Sequence, residues 1–240
     1  MEILQVLKKN TNTKMKYLSN GCSHSSDIMP NERGFHRDDY TYSYLLYSYL
    51  KSRGTTHSWK ALQHPGKGND NIFHDTLRSL TIKPIGHYDF ISIQFSSPNR
   101  RYYQLPDGKV IHINPYDWSE YGVLFEPQAS HHTLNYIFTL QRIFGLAKTP
   151  YLMMCYFPIE RNEENENFVE SMIDLDKFVS FDDNTHPIFD GWIDSMKNKK
   201  NWFKKDFPDS LISDEQGHPS FEGHKYIFSR FKEKLSNKIL

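Results

Sequence analysis

Apolar and polar positions follow two different periods along the chain. Continuous or alternating apolar runs of strand length occupy residues 15–20, 58–63, 88–95 and 150–157. Between them, apolar residues recur every three to four positions, and this spacing predicts helices at residues 40–51, 69–80, 128–144 and 190–200 and from about 220 to near the C-terminus. Strands that alternate with helices in this way predict a three-layer α/β/α sandwich with a mainly parallel sheet.

Three segments interrupt this pattern. Residues 101–127 are predicted to be an insertion, with Pro106-Asp107-Gly108 as a hairpin turn between two short strands. Residues 161–167 are predicted to form a charged loop, and residues 175–181 fit either a short strand or a helix. A length of 240 residues favours one domain that spans residues 1–240.

Charge balance, apolar runs, cysteines and histidines indicate which classes of protein and which kinds of site are not expected. The 29 basic and 29 acidic side chains balance, so no overall field attracts nucleic acid or an anionic membrane. The N-terminus lacks the apolar core of a signal peptide and no run approaches a membrane span, which predicts a protein that is cytoplasmic or packaged in a virion. Cys22 and Cys155 fall in predicted strands or strand ends, so a disulfide framework is not expected. The histidines show no metal-site spacing, and no metal or cofactor is expected.

Two distant segments carry candidate chemistry. The first predicted strand ends in Gly21-Cys22-Ser23, and glycine permits a sharp turn that places Ser23 at the carboxyl end of the strand, where ligands bind in open α/β sheets. A serine in this position often serves only the turn. As a nucleophile it needs a base. His218 is the best candidate, because imidazole exchanges protons near neutral pH and the carboxylates of Asp214 and Glu215 lie just before it.

The same segments resemble the SGNH, or GDSL-type, hydrolases. The sequence Gly-Cys-Ser-His-Ser at residues 21–25 is similar to the first block of that family, and His218-Pro219 with Gly223-His224 is similar to the last. The Gly-Cys-Ser variant together with Gly-x-x-Asn-Asp at residues 66–70 also resembles phage and marine-bacterial members. The resemblance implies a flavodoxin-like fold and a serine esterase without a cofactor, with O-acetyl groups on a carbohydrate as the favoured substrate.

The resemblance also implies roles for single residues. Ser23 would be the nucleophile and His218 the base, while Glu215 has the family spacing of the acid and Asp214 the usual residue type; we favour Asp214 and keep Glu215 as the alternative. Cys22 replaces an aspartate that is not catalytic in the family, and a thiol nucleophile at this position ranks lower.

The third set of expected residues is the oxyanion hole. Besides the main-chain N–H of Ser23, the resemblance implies Gly66 at the head of a helix, whose dipole favours negative charge. Gly68 and Asn69 are close alternatives for that donor, although the same residues would also serve as a turn and a helix cap. The family's Gly-x-Asn-Asp block is absent after the strand at 88–95, where Asn99 or Ser97 would substitute.

These observations predict a serine esterase for small acyl esters, with a small-molecule or glycan ester as its partner. The alternative is a catalytically inactive protein that keeps the SGNH scaffold for glycan binding or as a virion component. Arg100-Arg101 with Tyr102-Tyr103 would suit an anionic or sugar substrate, or would be a solvated loop. The basic run at residues 197–205 gives only weak support for a nucleic-acid-binding protein, which would bind in a steeply salt-dependent way.

Overall fold

Strands and helices alternate through most of the chain. The computed structural model describes residues 16–22, 41–54, 58–64, 67–82, 87–104, 110–113, 126–197, 211–212 and 218–237. Its elements in chain order are β1 (Lys16–Asn20), α1 (Tyr42–Ser52), β2 (Ser58–Ala61), α2 (Asn69–Ile82), β3 (Phe90–Phe95), β4 (Arg101–Gln104), β5 (Val110–Ile113), α3 (Glu126–Leu146), β6 (Tyr151–Cys155), α4 (Glu163–Met172), a 3-10 turn (Leu175–Lys177), α5 (Gly191–Lys197) and α6 (Phe221–Asn237).

Four strands form a parallel sheet in the order β2-β1-β3-β6. Leu18 of β1 lies opposite Ile91 of β3, and Ile93 of β3 lies opposite Met153 of β6. Successive strands are added first on one side of β1 and then on the other, so the strand order reverses between β1 and β3. Open α/β sheets bind their ligands at the carboxyl ends of the strands that flank such a reversal.

The two faces of the sheet bury separate apolar clusters, because side chains alternate between the faces of a strand. Tyr17, Phe90 and Leu152 pack with α1, α5 and α6 on one face. Leu18, Ile91 and Met153 pack with α2, α3 and α4 on the other face. The predicted three-layer α/β/α sandwich with a mainly parallel sheet is therefore confirmed.

The prediction that the charged segment at residues 161–167 forms a loop was wrong. It is the start of α4, and Asn162 caps this helix because its side-chain oxygen accepts a hydrogen bond of 2.9 Å from the N–H of Asn165. Glu163, Glu164 and Glu166 lie in the first turn, where negative charge interacts favourably with the helix dipole. The charges that suggested a loop are thus the signature of a helix N-terminus.

Other segments add detail to the predictions. Residues 175–181 contain the 3-10 turn and then a single parallel bridge between Phe178 and Met153, so they are neither a regular strand nor an α-helix. β4 and β5 form the expected antiparallel pair, while the turn at residues 106–108 lies outside the described residues. The same is true of the basic run at 197–205, apart from Lys197. The single domain and the insertion bounds remain predictions.

Two further observations concern the cysteines and the apolar character of the helices. Cys22 and Cys155 are both buried, and they form no disulfide. Among the helices that the structure describes, none is long and apolar enough to cross a membrane.

Candidate functional site

The turn that leaves β1 is fixed by a buried amide. Asn20 donates hydrogen bonds from Nδ2 to the carbonyl of Ile72 (2.8 Å) and to Oγ1 of Thr76 (2.9 Å), both on α2. Its Oδ1 accepts the N–H of Gly21 at 2.9 Å. The side chain of one strand-end residue therefore positions the backbone that leads to Ser23, which itself lies outside the described residues.

Cys22, the residue before Ser23, is completely buried. Its sulfur accepts a hydrogen bond of 3.6 Å from Nε2 of Gln94, and its side chain belongs to the apolar cluster on the α2–α3 face of the sheet. Small, buried cysteines behave as packed apolar residues. The burial of Cys22 therefore favours a packing role over a thiol nucleophile.

The segment that contains His218 is held at the start of α6. Pro219 forms a β-bridge with Ile212, and the N–H of Ser220 donates to the carbonyl of Leu211 at 3.1 Å. Oγ of Ser220 accepts the N–H of Gly223 at 3.0 Å, as an N-cap does. These bonds fix the backbone next to His218, whose side chain is partly buried.

Close packing explains why residue 223 is a glycine. A Cβ at this position would lie 2.1 Å from the carbonyl oxygen of Leu211, so only glycine allows the first turn of α6 to lie this close to that backbone. Asp214 and Glu215, the two candidates for the acid, lie outside the described residues, and the choice between them remains a prediction.

Tyr42, the first residue of α1, bonds to the segment that follows His218 and lies near the end of β1. Its N–H donates to Nδ1 of His224 at 3.3 Å, and the two rings stack with centroids 6.4 Å apart. The pKa of its phenol is raised well above the usual value by burial and by the nearby phenol of Tyr17 and thiol of Cys22. Tyr42 therefore joins α1 to the start of α6, and the end of β1 lies near it.

His224 also lies near His218. Burial and, to a smaller extent, the neighbouring charge of His218 lower the pKa of His224 to about 3. His224 is therefore neutral at neutral pH. Because its Nδ1 accepts the Tyr42 N–H, its proton resides on Nε2.

Of the residues proposed for the second oxyanion donor, Gly68 and Asn69 lie at the start of α2, and Gly66 lies outside the described residues. A Cβ on Gly68 would lie 2.3 Å from the carbonyl oxygen of Arg100, so the helix and the chain after β3 approach each other through a glycine. This contact places the start of α2 beside the carboxyl end of β3.

The side chain of Asn69 also joins the start of α2 to the end of β3. Its Oδ1 accepts the N–H of Ser96 at 2.7 Å, and its Nδ2 donates to the carbonyl of Ser96 at 3.1 Å and to Oγ1 of Thr133 at 3.0 Å. Both amide hydrogens are therefore used within the fold. We therefore predict that Asn69 would donate to the oxyanion through its main-chain N–H, which lies at the positive end of the helix dipole.

Ser97 and Asn99 follow β3 at the same edge of the sheet. The carbonyl of Ser97 accepts the N–H of Arg100 at 3.1 Å and closes a turn. Ser97 is buried and Asn99 is partly exposed. Their use as the third oxyanion donor remains a prediction.

Sequence reasoning did not single out the polar residues that tie the site segments together. Lys67 donates from Nζ to the carbonyl of Leu62 (2.5 Å) and to Oδ1 of Asn20 (3.3 Å), and it pairs with Asp75 at 2.5 Å. The ends of β1 and β2 are thereby tied to α2. These residues belong to no periodic pattern, so no sequence signal could have identified their partners.

Comparisons with known proteins identify the fold. No protein-family model matches the chain, and no curated protein does either. Among solved structures, an enzyme described as an α/β hydrolase from the metagenome of Lake Arreo is similar at 12% identity with a TM-score of 0.54, over 92% of this chain and 94% of that one. A lipase from a goat rumen metagenome is similar at 12% identity and a TM-score of 0.52, over 92% and 97% of the two chains.

A variant of an acetyl-xylooligosaccharide esterase from Geobacillus is similar at 14% identity with a TM-score of 0.50, over 94% of this chain and 95% of that one. All three structures extend over nearly the whole chain. They show that the chain shares the α/β fold of these hydrolases.

Proposed function

We propose that the chain is a serine ester hydrolase of the SGNH type, with Ser23 as nucleophile and His218 as base. The observation that carries the proposal is that two distant segments both lie near Tyr42. Cys22, which immediately precedes Ser23, lies near its side chain, and His224, which neighbours His218, accepts its N–H. The fold shared with a lipase and an esterase supports the same reaction class.

The proposed reaction has two halves. Oγ of Ser23 attacks the ester carbonyl while His218 accepts its proton, and His218 then donates that proton to the leaving alcohol. Water attacks the acyl-enzyme with His218 again as the base, and the acid is released with Ser23 restored. Asp214, or Glu215 in its place, would hold the histidine tautomer and stabilise the imidazolium.

The negative oxygen of the tetrahedral intermediate would lie at the start of α2. The main-chain N–H of Ser23 is one proposed donor, and the segment from Gly66 to Asn69 supplies a second at the positive end of a helix. Ser97 or Asn99 would be the third. The close contact of Gly68 with Arg100 supports this arrangement, because it places the chain after β3 beside the helix start.

Small acyl esters are the proposed substrates, with O-acetyl groups on a carbohydrate as the first class to test. The description of one similar structure as an acetyl-xylooligosaccharide esterase supports that choice. Trp118 and Tyr116, which we propose for stacking against a sugar, lie in the predicted insertion and outside the described residues.

Hydrolysis of p-nitrophenyl acetate tests the proposal. We expect Ser23→Ala and His218→Ala each to lower kcat by about 10³-fold or more. Ser171→Ala, a matched change on the exposed face of α4, should keep the parent rate. Asp214→Asn and Glu215→Gln identify the acid by which of them lowers the rate more.

Labelling with a fluorophosphonate gives an independent readout. Mass mapping should locate the adduct on Ser23 and show no adduct in His218→Ala. Equal background hydrolysis by the parent, Ser23→Ala and His218→Ala, without labelling, would reject the enzyme and favour the glycan-binding or virion-associated alternative.

A further inference from the structure

Arg100 lies at the edge of the sheet where the candidate site is built. It follows β3 after the turn closed by its own N–H and the carbonyl of Ser97 (3.1 Å), and its carbonyl oxygen packs against Gly68 at the start of α2. β1 and β3 flank the reversal of strand order, so Arg100 and the proposed nucleophile follow the two strands that border the ligand-binding crevice.

Two nitrogens of the Arg100 guanidinium lack acceptors. Its Nε and Nη1 atoms are buried and have no hydrogen-bond partner, and no carboxylate of the residues described in the structure forms an ion pair with it. Arg161 and Arg230, by contrast, pair with Glu166 and Glu233. Buried charged donors without acceptors are costly, and native proteins nearly always pair them.

A ligand that brings its own negative charge would remove this cost. Guanidinium groups bind carboxylates and similar oxyanions through charge-assisted hydrogen bonds, which are about twice as strong as neutral ones. A neutral ester would leave the buried nitrogens of Arg100 without an acceptor of this kind.

We propose that Arg100 binds a carboxylate carried by the substrate, so that the site prefers anionic esters over neutral ones. The inference rests on the proposed function, because it takes the candidate site as the place where an ester binds. It narrows the substrate class to esters whose alcohol or acyl part bears a carboxylate, such as an acylated acidic sugar.

Two pairs of esters test the preference and locate the carboxylate. 3-Acetoxybenzoate with 3-acetoxybenzamide places the charge on the alcohol side, and 4-nitrophenyl hydrogen succinate with its methyl ester places it on the acyl side. We expect the parent to favour the anionic member of one pair. In Arg100→Gln, the ratio of kcat/KM for the anionic over the neutral member of that pair should fall about 10- to 100-fold.

Arg78→Gln is the matched control, because it removes the same charge from the exposed face of α2. Its anionic-to-neutral ratio should equal that of the parent. Arg100→Lys should retain part of the preference, since lysine keeps the charge but lacks the planar donor geometry. An unchanged ratio in Arg100→Gln, or a fall in both members alike in Arg100→Gln and Arg100→Lys, would overturn the inference.

Calorimetric binding of benzoate separates this inference from the proposed function. If no ester is hydrolysed but the parent binds benzoate and Arg100→Gln does not, the carboxylate site stands and the hydrolase proposal fails. If esters are hydrolysed but neither benzoate binding nor the ester ratios respond to Arg100→Gln, the hydrolase proposal stands and the carboxylate site is wrong.

Discussion

The buried imidazole of His224 predicts a specific loss of stability in mild acid. The side chain is 2% exposed, and its Nδ1 accepts the N–H of Tyr42. Burial, with a smaller contribution from the charge of His218, lowers its pKa from 6.5 to about 3. In the unfolded chain the same histidine titrates near its ordinary pKa of about 6.5.

The direction of the change in stability follows from the number of protons that the folded and unfolded chains bind. Between about pH 6.5 and pH 3 the unfolded chain binds a proton at His224 and the folded chain does not, so the free energy of unfolding falls as the pH falls. The slope is about 1.4 kcal/mol per pH unit for a single group. From pH 7 to pH 5 this histidine should therefore account for a loss of about 2 kcal/mol, and above about pH 7 it should cause no further change.

Urea unfolding followed by tryptophan fluorescence at pH 7 and pH 5 measures this loss. His224→Asn removes the titrating ring but keeps an oxygen able to accept the Tyr42 N–H. We expect this variant to be less stable at pH 7, because ring packing is lost, and to lose about 2 kcal/mol less than the parent between the two pH values.

His132→Asn is the matched control, since it makes the same replacement at an exposed position on α3. It should lose as much stability as the parent between pH 7 and pH 5. If His224→Asn loses as much as the parent does, the reasoning about its buried neutral ring is wrong.

Three further changes test other contacts. Tyr42→Phe should leave the free energy of unfolding nearly unchanged or raise it, because the buried hydroxyl interacts only weakly with that of Ser92, which bonds to the Tyr17 hydroxyl at 2.6 Å; a loss above about 1 kcal/mol in urea unfolding would contradict this. Asn69→Ala should cost about 1–3 kcal/mol by leaving the buried Ser96 N–H unpaired, whereas an unchanged urea midpoint would refute the role of that bond. Asn162→Ala should cost about 0.5–2 kcal/mol as a lost N-cap, measured by thermal unfolding, and no change in Tm would reject the capping of α4.

The sheet and most helices could be predicted because their signal is local. The apolar run from Tyr151 to Cys155 is buried on both faces in the structure, as a continuous apolar strand requires. The helix over Asn69–Ile82 begins at the predicted residue, although the side chain of Asn69 bonds to Ser96 and Thr133 instead of capping the helix. At α4 the local signal was also present, but Asn162 followed by three glutamates was interpreted by its charge alone rather than as a cap with an acidic first turn.

The details of the candidate site depend on contacts that no local pattern contains. Gly68 could be recognised as a residue for a turn or an oxyanion donor, yet its packing against the Arg100 carbonyl requires the chain after β3 to return to α2. The pairing of His224 with Tyr42 joins residues 182 positions apart. Only the folded chain brings such residues together.

These long-range contacts explain how a site made of short, distant blocks can have a defined geometry. Asn20 ties the turn after β1 to α2, Asn69 ties the start of α2 to the end of β3, and His224 ties the start of α6 to α1. In each case a buried polar side chain bonds to the main chain of another element, and buried hydrogen bonds of this kind are costly to break. The position of each block is therefore set by the helices and strands rather than by its own loop. A neutral His224 fits this arrangement, because a second positive charge beside His218 would oppose the imidazolium that the proposed reaction forms there.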